Sequence, residues 1–307
     1  MSWVVSPFHT ATEHPAAMAA FLLAERCVTL VPSPSLDRSR EGFQRASHRV
    51  RHFREAVESL AWTTPLWDAG VVSAEHGGRS LRESVRTALA VVNEDPALAP
   101  LRHLVNAAVF DDDDAYLEAL SGDLVRGGVD PGIGIPVSVG LDLFAASNDL
   151  VVVRSAPTSV VEKAEQRAAR PLGSCSVPLL AQATSDRLLE ARAALGSEID
   201  DLRAAIVSGD DPRAAAHAYS RSFELERESL LRCEDPDEPP IMQVQATLQL
   251  VEMPGDASLR ASAAAARRFV PGAKSGGASV RTKSLTPTVP TIRSLIVKPL
   301  GRPASLR

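Results

Sequence analysis

His48 and His52 are the pair of side chains whose spacing comes nearest to that of a metal site. They lie four residues apart on a predicted helix, so both rings could face one ion. The first histidine lacks the neighbouring glutamate of a zinc-protease helix. Cations also repel a divalent metal, and four arginines surround the pair: Arg45, Arg49, Arg51 and Arg54. We therefore expect a basic helix face here and no metal site.

A run of four aspartates at 111–114 offers carboxylates for metal or phosphoryl chemistry. The same run comes directly before a predicted helix. Aspartate at a helix N-terminus accepts hydrogen bonds from free backbone N–H groups and interacts favourably with the helix dipole. We favour this capping interpretation over a catalytic one.

The glycine- and proline-rich segment 127–140 is the best candidate for a pocket. It lacks the Lys-Ser/Thr pair of a phosphate-binding loop and the spacing of a dinucleotide fingerprint. Its glycines and prolines alternate with apolar side chains that could line a ligand-facing wall. The pocket residues predicted on this basis are Gly132, Gly134 and Pro136.

Nucleophile motifs are absent from the sequence, since no G-x-S-x-G elbow occurs. Cys27 and Cys175 lie in apolar stretches, where burial would raise the thiol pKa and make the group unreactive. Three cysteines at wide spacing suit reduced thiols in a cytoplasm better than a disulfide framework. The sequence therefore predicts no catalytic set, no metal and no cofactor, and it makes an enzyme less expected than a non-enzyme.

Charge is distributed unevenly along the chain. Residues 271–307 hold seven basic side chains and no acidic one, which leaves 26 basic and 38 acidic residues in positions 1–270, a net charge of −12. Such a basic segment attracts phosphates or acidic protein surfaces. It has no aromatic residue, which disfavours stacking on single-stranded nucleic acid. The predicted partner-binding residues are Lys274, Arg281, Lys283, Arg293, Lys298, Arg302 and Arg307.

The elements that must position these residues are read from hydrophobic periodicity. Residues 1–20 are expected to form an irregular arm. Buried strands are predicted at 27–31 and 150–154, where apolar residues follow one another without a break. Helices are predicted at 35–61, 79–93, 96–109, 113–126, 141–147 and 158–169.

The second half of the chain contains the strongest helical signal. Leu188, Leu195 and Leu202 repeat every seven residues within a predicted αα-hairpin at 184–232. This seam would face either the protein's own core or another chain. Strict alternation of apolar residues with glutamines at 241–252 predicts a half-buried strand. Residues 259–263 would complete a β-hairpin, with a helix at 257–268 as the alternative.

Together these patterns predict an α+β protein, predominantly helical, with a small sheet, the αα-hairpin and a C-terminal β-hairpin. The expected divisions are an arm at 1–20, a body at 21–270 with a subdivision near 170–180, and a basic tail at 271–307. No apolar run approaches the roughly 20 residues of a membrane span, and we expect a cytoplasmic location. Only four of the 33 basic residues are lysines, which favours a bacterial source of high G+C content.

The leading functional hypothesis is a non-catalytic subunit or adaptor of a bacterial protein assembly. The helical hairpin, the glutamine-faced strand and the basic tail would contact other subunits or a second copy of the chain. The alternative is a nucleic-acid-associated protein that binds phosphates through its tail. An enzyme with a pocket near 127–140 ranks third.

Overall fold

A computed structural model describes residues 2–32, 41–94, 107–126, 133–157, 163, 166, 169–232, 240–255 and 291–300. The α+β class is confirmed, because helices flank a seven-stranded mixed sheet and a separate two-stranded ribbon. The sheet is larger than the small one predicted. The second strand predicted at 259–263 and most of the helices predicted at 96–109 and 158–169 lie outside the described residues.

The strands are short in the first half of the chain and long in the second. They are β1 (Ser2–Val5), β2 (Arg26–Val28), β3 (Val72–Ser73), β4 (Glu75–His76), β5 (Arg79–Ser80), β6 (Val151–Ser155), β7 (Arg170–Ala181), β8 (Met242–Met253) and β9 (Ile292–Pro299). The helices are α1 (Pro7–Ala11), α2 (Pro15–Leu23), α3 (Glu41–Arg49), α4 (Phe53–Leu60), α5 (Thr64–Asp68), α6 (Leu81–Glu94), α7 (Asp113–Val125), α8 (Gly134–Ser147), α9 (Ser185–Ala194), α10 (Gly196–Ser208) and α11 (Arg213–Leu230). Two 3-10 turns span Ala61–Thr63 and Ala107–Phe110.

The large sheet has the strand order β3-β2-β1-β6-β9-β8-β7. The first five strands in this order run parallel, while β8 is antiparallel to both β9 and β7. From β1 the chain moves outward to β2 and then β3, whereas β6 and β9 lie on the other side of β1. The order therefore reverses between β1 and β6, as it does in doubly wound sheets.

The N-terminal residues form the middle of the parallel region, which corrects the predicted irregular arm at 1–20. β1 pairs with β2 on one side and β6 on the other, and Trp3, Val4 and Val5 are fully buried. A strand covered on both faces needs consecutive apolar residues, so it lacks the alternation that marks half-buried strands. With only four residues, β1 carries too little of that signal to be recognised in the sequence.

Helix α2 is apolar on every side and is buried on every side. All residues from 16 to 23 are excluded from solvent, between the sheet and helices α9 and α10. A helix with apolar residues around its whole circumference belongs in a core or in a membrane. Among the described helices, none is long and apolar enough to cross a bilayer.

Leucines of the heptad seam face the protein's own core. Leu188, Leu195 and Leu202 are fully buried, together with the interleaved Ile199 and Ile206. Helices α10 and α11 pack against each other, and α11 packs on β7. Gly209 ends α10 with a φ of 75°, a left-handed conformation that glycine adopts without a steric penalty. Of the two orientations considered for this seam, the inward one is confirmed.

Strand β8 contains the predicted alternation, but its glutamines do not line an open edge. The strand pairs with β7 on one side and β9 on the other. Gln243 donates to Glu224 Oε1 at 2.8 Å, and Gln249 accepts from Gln166 at 3.1 Å. The prediction that this strand docks on a partner through its edge is therefore corrected, since its own neighbours hold both edges.

Residues 292–299, predicted to lie in the basic tail at 271–307, also belong to the sheet. β9 lies between β6 and β8, and Ile292, Leu295 and Val297 are fully buried. An apolar run paired on both edges is stabilised by burial and by two ladders of hydrogen bonds. Net charge identified the segment as basic but did not reveal that its apolar residues form a strand.

Candidate ligand-binding site

A cavity of about 210 Å³ lies against one face of the parallel strands, beside helices α1 and α8. Its polar lining consists of three serines, a histidine, an aspartate, an arginine and a glutamine: Ser6, Ser138, Ser155, His9, Asp142, Arg154 and Gln166. Apolar side chains of β1, β6, β8 and β9 contribute to its floor, among them Val4, Val152, Met253 and Ile296. The combination of an apolar floor with a few polar groups is typical of small-molecule sites.

The cavity lies where the strand order reverses. Ser6 directly follows β1 and Ser155 ends β6, so both stand at the carboxyl ends of neighbouring parallel strands. Chain connections leave these two strands in opposite directions and open a crevice between them. Ligands of open parallel sheets bind in this crevice. The strand topology and the cavity therefore both indicate a binding site between the carboxyl ends of β1 and β6.

A buried ion pair forms one wall of the cavity. The guanidinium of Arg154 donates from Nη2 to Asp142 Oδ1 at 2.5 Å and from Nε to Ser294 Oγ at 3.1 Å. The Asp142 side chain is 3% exposed and the Arg154 side chain 23%. A carboxylate this deeply buried requires a charged or hydrogen-bonding partner. The arginine supplies that partner and also reaches the cavity.

Close packing of α8 against α6 holds the aspartate in place. A Cβ at Gly140 would lie 2.5 Å from Val85 Cγ1, so only glycine lets the two helices approach this closely. Ser138, Leu141 and Asp142 follow at helical spacing and share the face of α8 that lines the cavity. The N-terminus of α8 is tied down because Gly134 N–H donates to Asp123 at 2.9 Å.

Two stacked histidines stand at the α1 side of the site. The rings of His9 and His14 have centroids 4.7 Å apart, and His9 lines the cavity. His14 Nδ1 accepts from Ala16 N–H at 3.1 Å and so caps α2. Burial lowers the pKa of His14, because desolvation disfavours the charged imidazolium. The neutral ring is also the form that can accept the capping hydrogen bond.

The predicted pocket residues are only partly near this cavity. Gly134 and Pro136 belong to the first turn of α8, where the missing N–H of proline is tolerated, and Gly132 lies outside the described residues. The cavity is instead lined by residues one and two turns further along the same helix. The segment 127–140, predicted to be a loop, is helical from Gly134 onward, and neither Gly134 nor Pro136 lines the cavity.

Of the seven predicted partner-binding residues, Arg293 and Lys298 fall on β9. Arg293 lies 3.5 Å from Asp149, while Lys298 is exposed. The other five lie outside the described residues: Lys274, Arg281, Lys283, Arg302 and Arg307. Neither Arg293 nor Lys298 lines the cavity described above.

The aspartate run at 111–114 caps a helix and binds arginines. Asp112 accepts from Ala115 N–H at 2.7 Å as the N-cap of α7, so the capping interpretation is confirmed. Its neighbours pair with arginines of α3 and α6: Asp111 with Arg86, Asp113 with Arg82 and Asp114 with Arg49. Within the described ranges, no cluster of three or more His, Cys, Asp or Glu side chains could hold a metal ion.

Cys27 and Cys175 are both buried, and desolvation raises the pKa of Cys27 to about 12 and that of Cys175 to about 11. Thiols with such pKa values are almost entirely protonated near neutral pH and are poor nucleophiles. The expected burial of these two thiols, with raised pKa values, is confirmed.

Sequence reasoning missed Asp142 and Arg154, although a signal for them exists. Asp142 is the only charged residue between 131 and 148, and Arg154 is the only one between 150 and 161. A single acid on an apolar helix followed by a single base on an apolar strand predicts a buried pair, because neither charge is stable there alone.

No family model, curated protein or solved structure matches this chain. The chemistry of the cleft is therefore inferred from its own residues.

Proposed function

We propose that this protein binds a small polar molecule in the cleft between the carboxyl ends of β1 and β6. The observation that carries the proposal is the coincidence of the cavity, the reversal of strand order and the Asp142–Arg154 pair at one place. Each is found separately in proteins without a ligand. Their coincidence is typical of a binding site in an open α/β sheet.

The sequence-based hypothesis that ranked third was an enzyme with a pocket near 127–140. The present proposal keeps a pocket but places it in the cleft between β1 and β6. It assigns no reaction, because the lining residues do not form a nucleophile–base pair of established geometry. Serine hydroxyls and a histidine ring are suited to orienting a bound polar group. We therefore propose binding, with transformation of the ligand as an extension to be tested by product analysis.

The adaptor and nucleic-acid hypotheses stay predictions. The heptad seam, the glutamine strand and the apolar part of the tail are engaged within the chain, so their contribution to docking loses its support. What remains of both hypotheses rests on the basic residues outside β9. Bacterial origin, self-association and a cytoplasmic location stay proposals as well.

A cavity-filling variant tests the proposed site. Ser138 is exposed at the cavity wall, so Ser138→Trp would occupy the cavity without opening the core. Ser147→Trp is the matched control, since Ser147 is an exposed serine of the same helix outside the cavity. The wild-type chain and both variants are equilibrated with a protein-free small-molecule extract of bacterial cells, and retained molecules are measured by mass spectrometry.

Binding in the cleft predicts one or more molecules retained by the wild type and by S147W and lost from S138W. Retention by all three proteins would place the ligand elsewhere. Retention by none would remove the support for a small-molecule site. Equal melting temperatures of the two variants would show that S138W fails through occupancy of the cavity and not through unfolding.

A further inference from the structure

We propose that the ligand of this cleft is a small organic anion, a carboxylate or a phosphate ester, bound by Arg154, with Asp142 as the residue that positions the guanidinium. The inference rests on the proposed function and adds the chemical class of the ligand. It is carried by the different accessibility of the two charges in the buried pair.

The cavity reaches the positive member of the pair more than the negative one. The Asp142 side chain is 3% exposed, whereas that of Arg154 is 23% exposed, and both line the cavity. A cationic ligand would have to contact a carboxylate that is nearly sealed from solvent. An anionic ligand would meet the more exposed of the two charged side chains, whose attraction is strong in a site of low dielectric constant.

The guanidinium is held in a fixed orientation before any ligand binds. Its Nη2 donates to Asp142 and its Nε donates to Ser294, which is fully buried on β9. Arginine held by two hydrogen bonds in this way keeps its planar fork aligned, and such a fork matches the geometry of carboxylate and phosphate oxygens. Positioning by neighbouring residues also lowers the entropy lost on binding.

Hydroxyl groups around the cavity complement an anion. Ser6, Ser138 and Ser155 each present an O–H that can donate to an oxygen of the ligand. Among the described residues of the lining, Asp142 is the only carboxylate. The apolar floor at Val152 and Ile296 suits the hydrocarbon part of an organic acid.

Two variants of the ion pair are expected to change anion affinity in opposite directions. Together they distinguish a pair that binds an anion from a pair that is purely structural. Asp142→Asn keeps a hydrogen-bond acceptor for Arg154 and removes the competing negative charge. The double variant Asp142→Leu with Arg154→Met removes the pair together. Replacing a buried pair by apolar residues of similar volume is often tolerated, whereas removing one partner leaves a buried charge.

Binding is measured by isothermal titration with four probes: inorganic phosphate, butyrate, butyramide and butylamine. Butyrate, butyramide and butylamine share a short hydrocarbon chain and differ in charge. We expect butyrate or phosphate to bind the wild type, with affinity raised several-fold in D142N and lost in the double variant. Butyramide and butylamine should bind at least about tenfold more weakly than the preferred anion, the cost of losing a charge-assisted pair.

In the titrations, three results would overturn the inference: unchanged anion affinity in D142N, retained anion affinity in the folded double variant, or failure of both anions to bind D142N. Affinity for phosphate but not for butyrate would assign a phosphate ester as the ligand. Affinity for butyrate but not for phosphate would assign a carboxylate.

The extract experiment separates failure of the anion inference from failure of the proposed function. If S138W abolishes retention of a neutral or cationic molecule, the cleft stands as the site and the anion inference fails. If S138W abolishes nothing, both fail.

Discussion

Individual buried polar atoms in this protein differ in whether they have partners. Thr63 donates from Oγ1 to the Leu60 carbonyl at 2.6 Å and accepts from Trp67 Nε1 at 3.0 Å. Thr29 Oγ1 is equally buried, yet it has no hydrogen-bond partner among the described residues. A buried hydroxyl without a partner carries a desolvation penalty that one with two partners does not. The two threonines should therefore respond oppositely to the same substitution.

Replacing each threonine by valine tests this difference. Thr29→Val exchanges an unpaired hydroxyl for a methyl group, and we expect the free energy of unfolding to rise by about 1 kcal/mol. Thr63→Val removes two hydrogen bonds and leaves the indole N–H of Trp67 unpaired. We therefore expect the free energy of unfolding to fall by about 1–3 kcal/mol. Urea unfolding of both variants measures the change. A loss of stability in T29V equal to that in T63V would contradict the prediction.

His14 is expected to make stability depend on pH. Its pKa in the folded chain lies below the ordinary value of 6.5, so between these two values the unfolded chain binds more protons. The stabilising contribution is therefore complete above about pH 6.5 and decreases as the pH falls through the folded-state pKa. Protonation also removes the acceptor that caps α2.

The variant His14→Asn isolates this titration, because asparagine caps helices well and does not ionise. Urea unfolding of the wild type and H14N at about pH 7.5 and about pH 5 should show a larger loss of stability on acidification in the wild type. The remaining histidines are common to both proteins and cancel in the comparison. Equal losses in the two proteins would mean that His14 does not contribute.

At the scale of elements, one arginine joins the first buried helix to the helical hairpin. The Arg192 guanidinium on α9 donates to the carbonyls of Phe21, Leu22, Ala24 and Glu25, over distances from 2.6 to 3.2 Å. These carbonyls lie at the C-terminal end of α2, where the last turn of a helix has acceptors without intrahelical partners. The positive charge also interacts favourably with the negative end of the helix dipole.

We expect Arg192→Met to lower the free energy of unfolding by about 2–3 kcal/mol, because several buried acceptors lose a charged donor at once. Arg213→Met is the control. Arg213 pairs with Asp211 at 3.0 Å, but its side chain is 75% exposed, so its loss should cost less than about 1 kcal/mol. Urea unfolding of the two variants compares them directly. Equal effects would show that Arg192 is no more than a surface arginine.

The elements that the sequence predicted well are those with a clear period. Helices α6 and α7 and strand β8 lie within a few residues of their predicted bounds, since their apolar residues recur at 3.6 or 2 positions. β1 was missed for a physical reason. A strand buried on both faces has no period, and strand neighbours are set by contacts across the whole chain, not by local sequence.

The same reason explains why the cleft was not predicted. Ser6 lies far along the chain from Asp142 and Arg154, and it meets them only because β1 and β6 are neighbours in the sheet. Composition and motif spacing contain no information on that adjacency. The lone charges at 142 and 154 are a local signal from which a buried pair could have been predicted, since an unpaired charge in an apolar element is unstable.

At the scale of the whole molecule, strand β9 from near the C-terminus joins the parallel and the antiparallel parts of the sheet. β9 supplies partners to both β6 and β8, so without it neither strand has its inner neighbour.

Deletion of 271–307 should abolish cooperative unfolding and yield insoluble or partly folded protein, whereas deletion of 301–307 should leave the melting temperature within a few degrees of the full chain. Circular dichroism and size-exclusion chromatography measure both. A soluble, cooperatively unfolding 271–307 deletion would contradict the position of β9. Loss of a binding partner on that deletion is accordingly no evidence of docking through a tail.

Amide hydrogen exchange on the full chain, with and without the molecule it retains from the extract, tests the location of the ligand site most directly. Binding in the cleft predicts slowed exchange in three separate segments, 6–9, 138–142 and 153–155, which meet only at the cavity. S147W should give the same pattern and S138W none. Slowed exchange confined to segments outside the cleft, or no change in any segment, would contradict the account.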